Sequence, residues 1–140
     1  MRKIMGGISI VLALVIGILP AFTDCLSQGR SLELANGKTV PMKCHWTGIA
    51  EIGVAVPLLL VGIFDITSKR KETFNLLSLM GVVLGAMVIL FPTVLIGVCA
   101  NPEMLCNMVM KPVLVLSGSL AIIASAVVFI TSRKMVEPSA

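Results

Sequence analysis

Four long apolar runs, residues 4–22, 49–67, 76–98 and 112–131, decide what this chain can fold into. Each is close to the ~20 residues a helix needs to cross a ~30 Å hydrocarbon core. A barrel strand alternates lipid-facing with lumen-facing side chains, and these runs do not alternate. A helix satisfies its own backbone hydrogen bonds, as a segment surrounded by lipid must. Composition agrees, since 13% of residues are charged against roughly 25% in an ordinary soluble domain. The sequence therefore predicts an all-α bundle of four transmembrane helices, forming one integral membrane domain over residues 1–140.

The net charge of +4 does not point to nucleic acid, because the basic residues are not gathered on one polar surface. Arg2 and Lys3 precede the first run, Lys69, Arg70 and Lys71 lie in the connection 68–75, and Arg133 and Lys134 follow the last run. The longer loops 23–46 and 99–111 hold only Arg30, Lys38, Lys43 and Lys111. Under the positive-inside rule both termini face the cytoplasm, the two longer loops face outward, and the chain is a multi-pass protein of the inner cell membrane. A cleaved signal peptide is the alternative for the first run. Pro20-Ala21-Phe22-Thr23-Asp24-Cys25 offers no A-x-A-like cleavage site and no small residues leading to a lipoprotein cysteine.

Small residues recur four apart at Ser9, Ala13, Gly17 and Ala21, at Gly81 and Gly85, and at Ser117, Ala121 and Ser125. Such stripes let helix backbones come close. The preferred reading is that they pack the four helices on each other; the alternative is that one of them docks a partner's helix. Pro57 and Pro92 each remove a backbone donor inside a run and predict kinks. In the first outer loop Asn36-Gly37 lies between partly alternating segments, which predicts a tight hairpin whose second arm, limited by Pro41, serves only as an edge.

The four cysteines, Cys25, Cys44, Cys99 and Cys106, all fall in or beside the outer loops. An even count on an oxidising face predicts two disulfides. Cys25–Cys44 and Cys99–Cys106 are preferred, bracing the two extracytoplasmic loops, and cross-loop pairing stays open. The densest chemistry is in Met42-Lys43-Cys44-His45-Trp46-Thr47 and on to Glu51. Trp46 suits the headgroup level. Glu51 lies about one turn inside the second helix, where a carboxylate is costly unless paired or neutral; His45 and Lys43 are its candidate partners. Asp65 is four residues before Lys69 and can pair with it.

Three functions fit these residues. The first is a non-enzymatic interaction subunit whose outer cap, organised by His45, Trp46, Thr47 and Glu51, binds a larger membrane complex. The second is a thiol oxidoreductase, because a cysteine pair in each outer loop of four helices resembles quinone-linked disulfide-forming membrane enzymes. Those enzymes usually carry C-x-x-C pairs tuned by proximity, whereas 18 and 6 residues intervene here. The third is copper or haem handling, with Met42, Cys44, His45, Met104, Cys106, Met108 and Met110 as soft ligands.

Met42-Lys43-Cys44-His45-Trp46-Thr47 with Glu51 and Gly53, and Pro92-Thr93-Val94-Leu95-Ile96-Gly97-Val98-Cys99 with Met104, Cys106 and Pro112, resemble an uncharacterised family of small four-helix bacterial membrane proteins known only as a domain of unknown function. Members are often encoded beside ABC transporters of the MacB and FtsX type. The resemblance implies an accessory subunit docking on such a permease through its helices and outer cap, with no cofactor, no metal and no catalytic residue.

Overall fold

The computed structural model describes residues 2–68 and 70–134. Helix α1 spans Arg2–Thr23, α2 spans Lys43–Thr67, α3 spans Lys71–Leu90 and α4 spans Lys111–Lys134. A π turn, Phe91–Leu95, extends α3, and another, Cys106–Met110, leads into α4. Four helical segments, Lys3–Thr23, Lys43–Thr67, Glu72–Leu95 and Cys106–Arg133, are long and apolar enough to cross a membrane. Their outward faces carry large apolar side chains, among them Val11, Val56, Leu79, Val94, Leu116 and Ile123. In water that surface would drive association; lipid solvates it.

The helices run up and down, with α1 packed chiefly on α2 and α3 on α4. Each pair closes on a glycine contact. A Cβ added at Gly62 would lie 2.9 Å from Ile10 Cγ1 and 3.1 Å from the Gly6 carbonyl oxygen. One added at Gly118 would lie 2.8 Å from Ile89 Cγ1 and 2.9 Å from the Gly85 carbonyl oxygen. Lipid tails are as apolar as leucine, so close van der Waals packing holds such helices together, and only glycine permits this approach. The small-residue stripes turn mostly inward. Ser9, Ala13, Ser117, Ala121 and Ser125 are buried, Gly81 faces Ser125, and Ala21 alone of those residues is exposed.

Several boundaries move from those the apolar runs imply, among them the start of α3, at Lys71 rather than at residue 76. Helix α2 begins at Lys43, because the Cys-His-Trp-Thr residues continue the helix beyond its apolar stretch; the backbone becomes extended at Met42, just after Pro41. Helix α3 stops short of Val98. Pro92 cannot donate to the carbonyl four residues back, and the chain widens into a π turn in which Ile96 N–H donates to the Phe91 carbonyl at 3.1 Å. Gly97 N–H reaches the same carbonyl at 3.0 Å, and Gly97 ends the helix at φ 79°. The second π turn, unlike the first, lies ahead of its proline, Pro112, and closes with Lys111 N–H donating to the Cys106 carbonyl.

Between α1 and α2 stands the hairpin, with Leu32–Glu33 (β1) paired antiparallel to Thr39–Val40 (β2) in the register Leu32↔Val40. Gly37, at φ 72°, donates its N–H to the Leu34 carbonyl at 2.9 Å. This is a three-residue turn with glycine in the left-handed position. The buried core, including Leu12, Ile16, Leu58, Val88 and Leu114, continues without a break into three of the cysteines.

The Gly118 contact yields a test. Gly118→Val is expected to cost about 1–3 kcal/mol by overpacking and to lower the thermal unfolding midpoint in detergent. Gly53→Ala, where an added Cβ meets nothing within 4 Å, should leave the midpoint unchanged. Equal midpoints for the two variants would contradict the close approach.

Candidate functional site

The up-and-down order brings the end of α1, the start of α2, the end of α3 and the start of α4 to one end of the bundle. Each contributes a cysteine. Cys25 follows α1 in a turn where the Asp24 carboxylate accepts the Ser27 N–H at 2.7 Å and the Ser27 hydroxyl donates to the Asp24 carbonyl at 2.8 Å. This is an Asx-type turn, and it fixes the Cys25 backbone, whose carbonyl accepts the Arg30 N–H at 2.9 Å. Cys44 is the second residue of α2 and Cys106 the first of its π turn. Cys99 follows Gly97, whose carbonyl accepts the Thr47 hydroxyl at 2.7 Å. Thr47, fully buried, thereby ties the first turns of α2 to the segment that carries Cys99.

All four sulfurs lie within 4.8 Å of one another. Cys25 and Cys44 are joined by a disulfide. The second bridge expected, Cys99–Cys106, is not formed, and both are free thiols. Instead of keeping to its own loop, Cys99 Sγ sits 3.4 Å from Cys25 Sγ and 3.3 Å from Cys44 Sγ. Cys106 Sγ is 3.5 Å from Cys25 Sγ. Cys25, Cys44 and Cys106 are buried, and only Cys99 is partly exposed. The local spacings of the cysteines carry no sign of this convergence, which is a property of the helix packing.

The acid–base residues sort differently from expectation. His45 does not reach toward Glu51. Its Nδ1 donates to Asp24 Oδ2 at 2.8 Å, and Trp46 packs edge-on to the imidazole with centroids 6.0 Å apart. At about 100° per residue, Glu51 shares a helix face with Cys44, seven positions earlier, while His45 points elsewhere. Lys43 is exposed. Glu51 is fully buried, and neither carboxyl oxygen has a hydrogen-bond partner among the described residues. Asp24 was not singled out by the sequence; the Asp24-x-x-Ser27 turn pattern was the available signal. Burial of Asp24 opposes its ionisation, but the hydrogen bonds from His45 and from Ser27 outweigh it and hold the carboxyl below its ordinary value. Asp65 is buried on α2, and Lys69, its expected partner, lies outside the described residues.

The soft-ligand set divides. Met42 Sδ is 3.8 Å from Cys99 Sγ, Met104 packs on the core and Met110 is buried. Met108 is exposed, and His45 is taken by Asp24. What remains at the centre is a cluster of sulfur, with one bridge and two thiols.

The fold and site define a class: a small all-helical chain with four helices suited to a membrane and a sulfur cluster at one end. The chain belongs to the family described as "Domain of unknown function (DUF4418)", whose model matches residues 4–131. Comparison with curated proteins and with solved structures found no match.

The Asp24–His45 contact predicts a pH dependence. A folded-state pKa below the ordinary 3.8 contributes stability that is present above that value and lost as pH falls through the lower folded value. Asp24→Asn should therefore destabilise the protein at neutral pH. The gap from wild type should close on acidification below pH 3.8, as followed by thermal unfolding across pH. A gap that stays constant would sink this assignment.

Proposed function

We propose that this protein is a membrane-embedded thiol–disulfide exchange protein. One observation carries the proposal: the free Cys99 thiol lies 3.3–3.4 Å from both sulfurs of the Cys25–Cys44 bridge. A sulfur–sulfur bond is ~2.05 Å, so Cys99 Sγ must close about 1.3 Å and also swing from its place beside the bridge into line with it, the approach that displacement at sulfur requires. Cys99, as thiolate, attacks Cys44 Sγ. The Cys99–Cys44 bond forms, the Cys25–Cys44 bond breaks, and Cys25 leaves as a thiolate that takes up the proton Cys99 gave up. The bridge then involves the partly exposed cysteine. A thiol of an external dithiol protein attacks Cys99 Sγ and releases Cys44. The second external thiol resolves the mixed disulfide, so the partner loses two electrons and two protons and this chain gains them. Every step runs in reverse when the partner arrives oxidised.

We place the cluster on the outer, oxidising face of the inner cell membrane, with both termini in the cytoplasm. The uneven distribution of lysine and arginine supports this orientation. Burial of the other three sulfurs supports Cys99 as the point of entry.

Cys99→Ser is expected to slow equilibration of the Cys25–Cys44 bridge with a glutathione redox buffer by ~10-fold or more, since exchange rates follow access to the attacked sulfur. A partner stripped of its second thiol should accumulate a mixed disulfide with Cys99. A membrane-impermeant maleimide added to intact cells should label Cys99. Unchanged exchange in Cys99→Ser would exclude the relay, and labelling only after lysis would reverse the orientation.

A second reading has its own supporting observation. The hairpin exposes Leu32, Leu34 and Val40, an apolar surface outside the spanning helices. This suits an accessory, non-catalytic subunit of a larger membrane complex, such as an ABC-type transporter of the MacB/FtsX kind. Replacing Leu32 and Val40 by serine should then leave the fold intact and abolish co-migration with the complex on native gels. A wild-type chain that migrates alone rules this reading out.

A further inference from the structure

We propose that, once the Cys25–Cys44 bridge is reduced, the four cysteines bind a single divalent d10 cation, with zinc as the reference ion, through four thiolates. A zinc–thiolate bond of ~2.3 Å in a tetrahedron separates neighbouring sulfurs by roughly 3.8 Å. The contacts between the free and bridged cysteines are 3.3, 3.4 and 3.5 Å, and no two sulfurs are more than 4.8 Å apart. Opening the bridge lets Cys25 and Cys44 relax to that spacing with small side-chain movements. A cage this tight suits one ion; a cluster of two or more irons would need its thiolates spread over different metals.

The ligands come from four separate segments whose backbones are already fixed. The Asp24–Ser27 turn holds Cys25, helix α2 holds Cys44, the Thr47–Gly97 hydrogen bond holds the approach to Cys99, and the π turn holds Cys106. π turns inside helices are frequent at functional sites. Little ordering remains to be done on binding, which favours affinity. The other soft groups do not compete well: His45 is engaged by Asp24, and Met42 offers only a neutral thioether beside Cys99. Hard, oxygen-seeking cations are excluded by the all-sulfur donor set.

Charge and protons balance as follows. An external dithiol reduces the bridge, giving two electrons and two protons and becoming a disulfide itself. The four thiols then release four protons to bind one M2+, and the product carries two negative charges. Cys44 lies in the first turn of α2, where the positive end of a helix dipole favours negative charge. The bridge and the ion are mutually exclusive, because each claims Cys25 and Cys44. This inference shares the sulfurs of the exchange reading and does not depend on it: a chain that holds zinc and never exchanges with a dithiol would fail that reading and keep this one.

The test uses the full chain in detergent, reduced with a dithiol and exchanged into reductant-free buffer without oxygen. Titration with Co2+ is expected to saturate at one equivalent with the intense visible absorption of tetrahedral cobalt thiolate, and Zn2+ should displace it. The oxidised chain should take up none. Cys106→Ser should weaken binding by more than the ~10–100-fold typical of losing a mere ligand-supporting partner. So that the outcome does not hang on the folding of that variant, protection is measured in the wild type as well: iodoacetamide should modify Cys99, the partly exposed thiol, in the reduced apo chain and leave it unmodified with zinc bound. No stoichiometric uptake, uptake indifferent to oxidation, or Cys99 equally modified with and without zinc would each overturn the proposal.

Discussion

In a solvent as apolar as its own side chains, this bundle gains little from burying leucine and isoleucine. What holds it is the fit of backbones and side chains. At one end Gly6 meets Gly62; between α3 and α4, Gly85 meets Gly118. At the other end, away from the Gly6–Gly62 contact, sulfur and a few hydrogen bonds take over: the Cys25–Cys44 bridge, Thr47 on the Gly97 carbonyl, His45 on Asp24. The glycine contacts set how the helices approach, and that approach decides where the four cysteines meet.

Much of the fold was legible because lipid leaves a chain few options. Runs of about 20 apolar residues have one good solution, and small residues spaced by four mark where backbones touch. The start of α2 was less legible. Cys44, His45 and Trp46 break the apolar pattern, and polarity alone does not separate a loop from a helix emerging at the headgroups. The Asn36-Gly37 turn was readable because a left-handed backbone position selects glycine.

The candidate site divides along the same line. That all four cysteines fall in the two longer loops was plain from the sequence, which favoured one bridge within each loop and left cross-loop pairing open. Which sulfur lies beside which did not, since it depends on the rotation of four helices and on the widened turns next to Pro92 and Pro112. His45 was matched to Glu51 by nearness in sequence, although helical phase separates them. The same phase puts Glu51 beneath Cys44, a fully enclosed carboxyl without a hydrogen-bond partner among the described residues. A buried polar group of this kind is expensive, and nothing among the described residues offsets that cost.

The position of the disulfide has a mechanical consequence. Between Cys25 and Cys44 it clasps α1 to α2, elements that already touch along their length, and at this end of the bundle it leaves the α3–α4 pair joined to them by non-covalent contacts. Moved by one sulfur, to Cys99–Cys44 or Cys25–Cys106, the same bond would rivet one helical pair to the other. The chain would then carry two rigidities for one set of atoms: a hinged pair of hairpins, or a locked block.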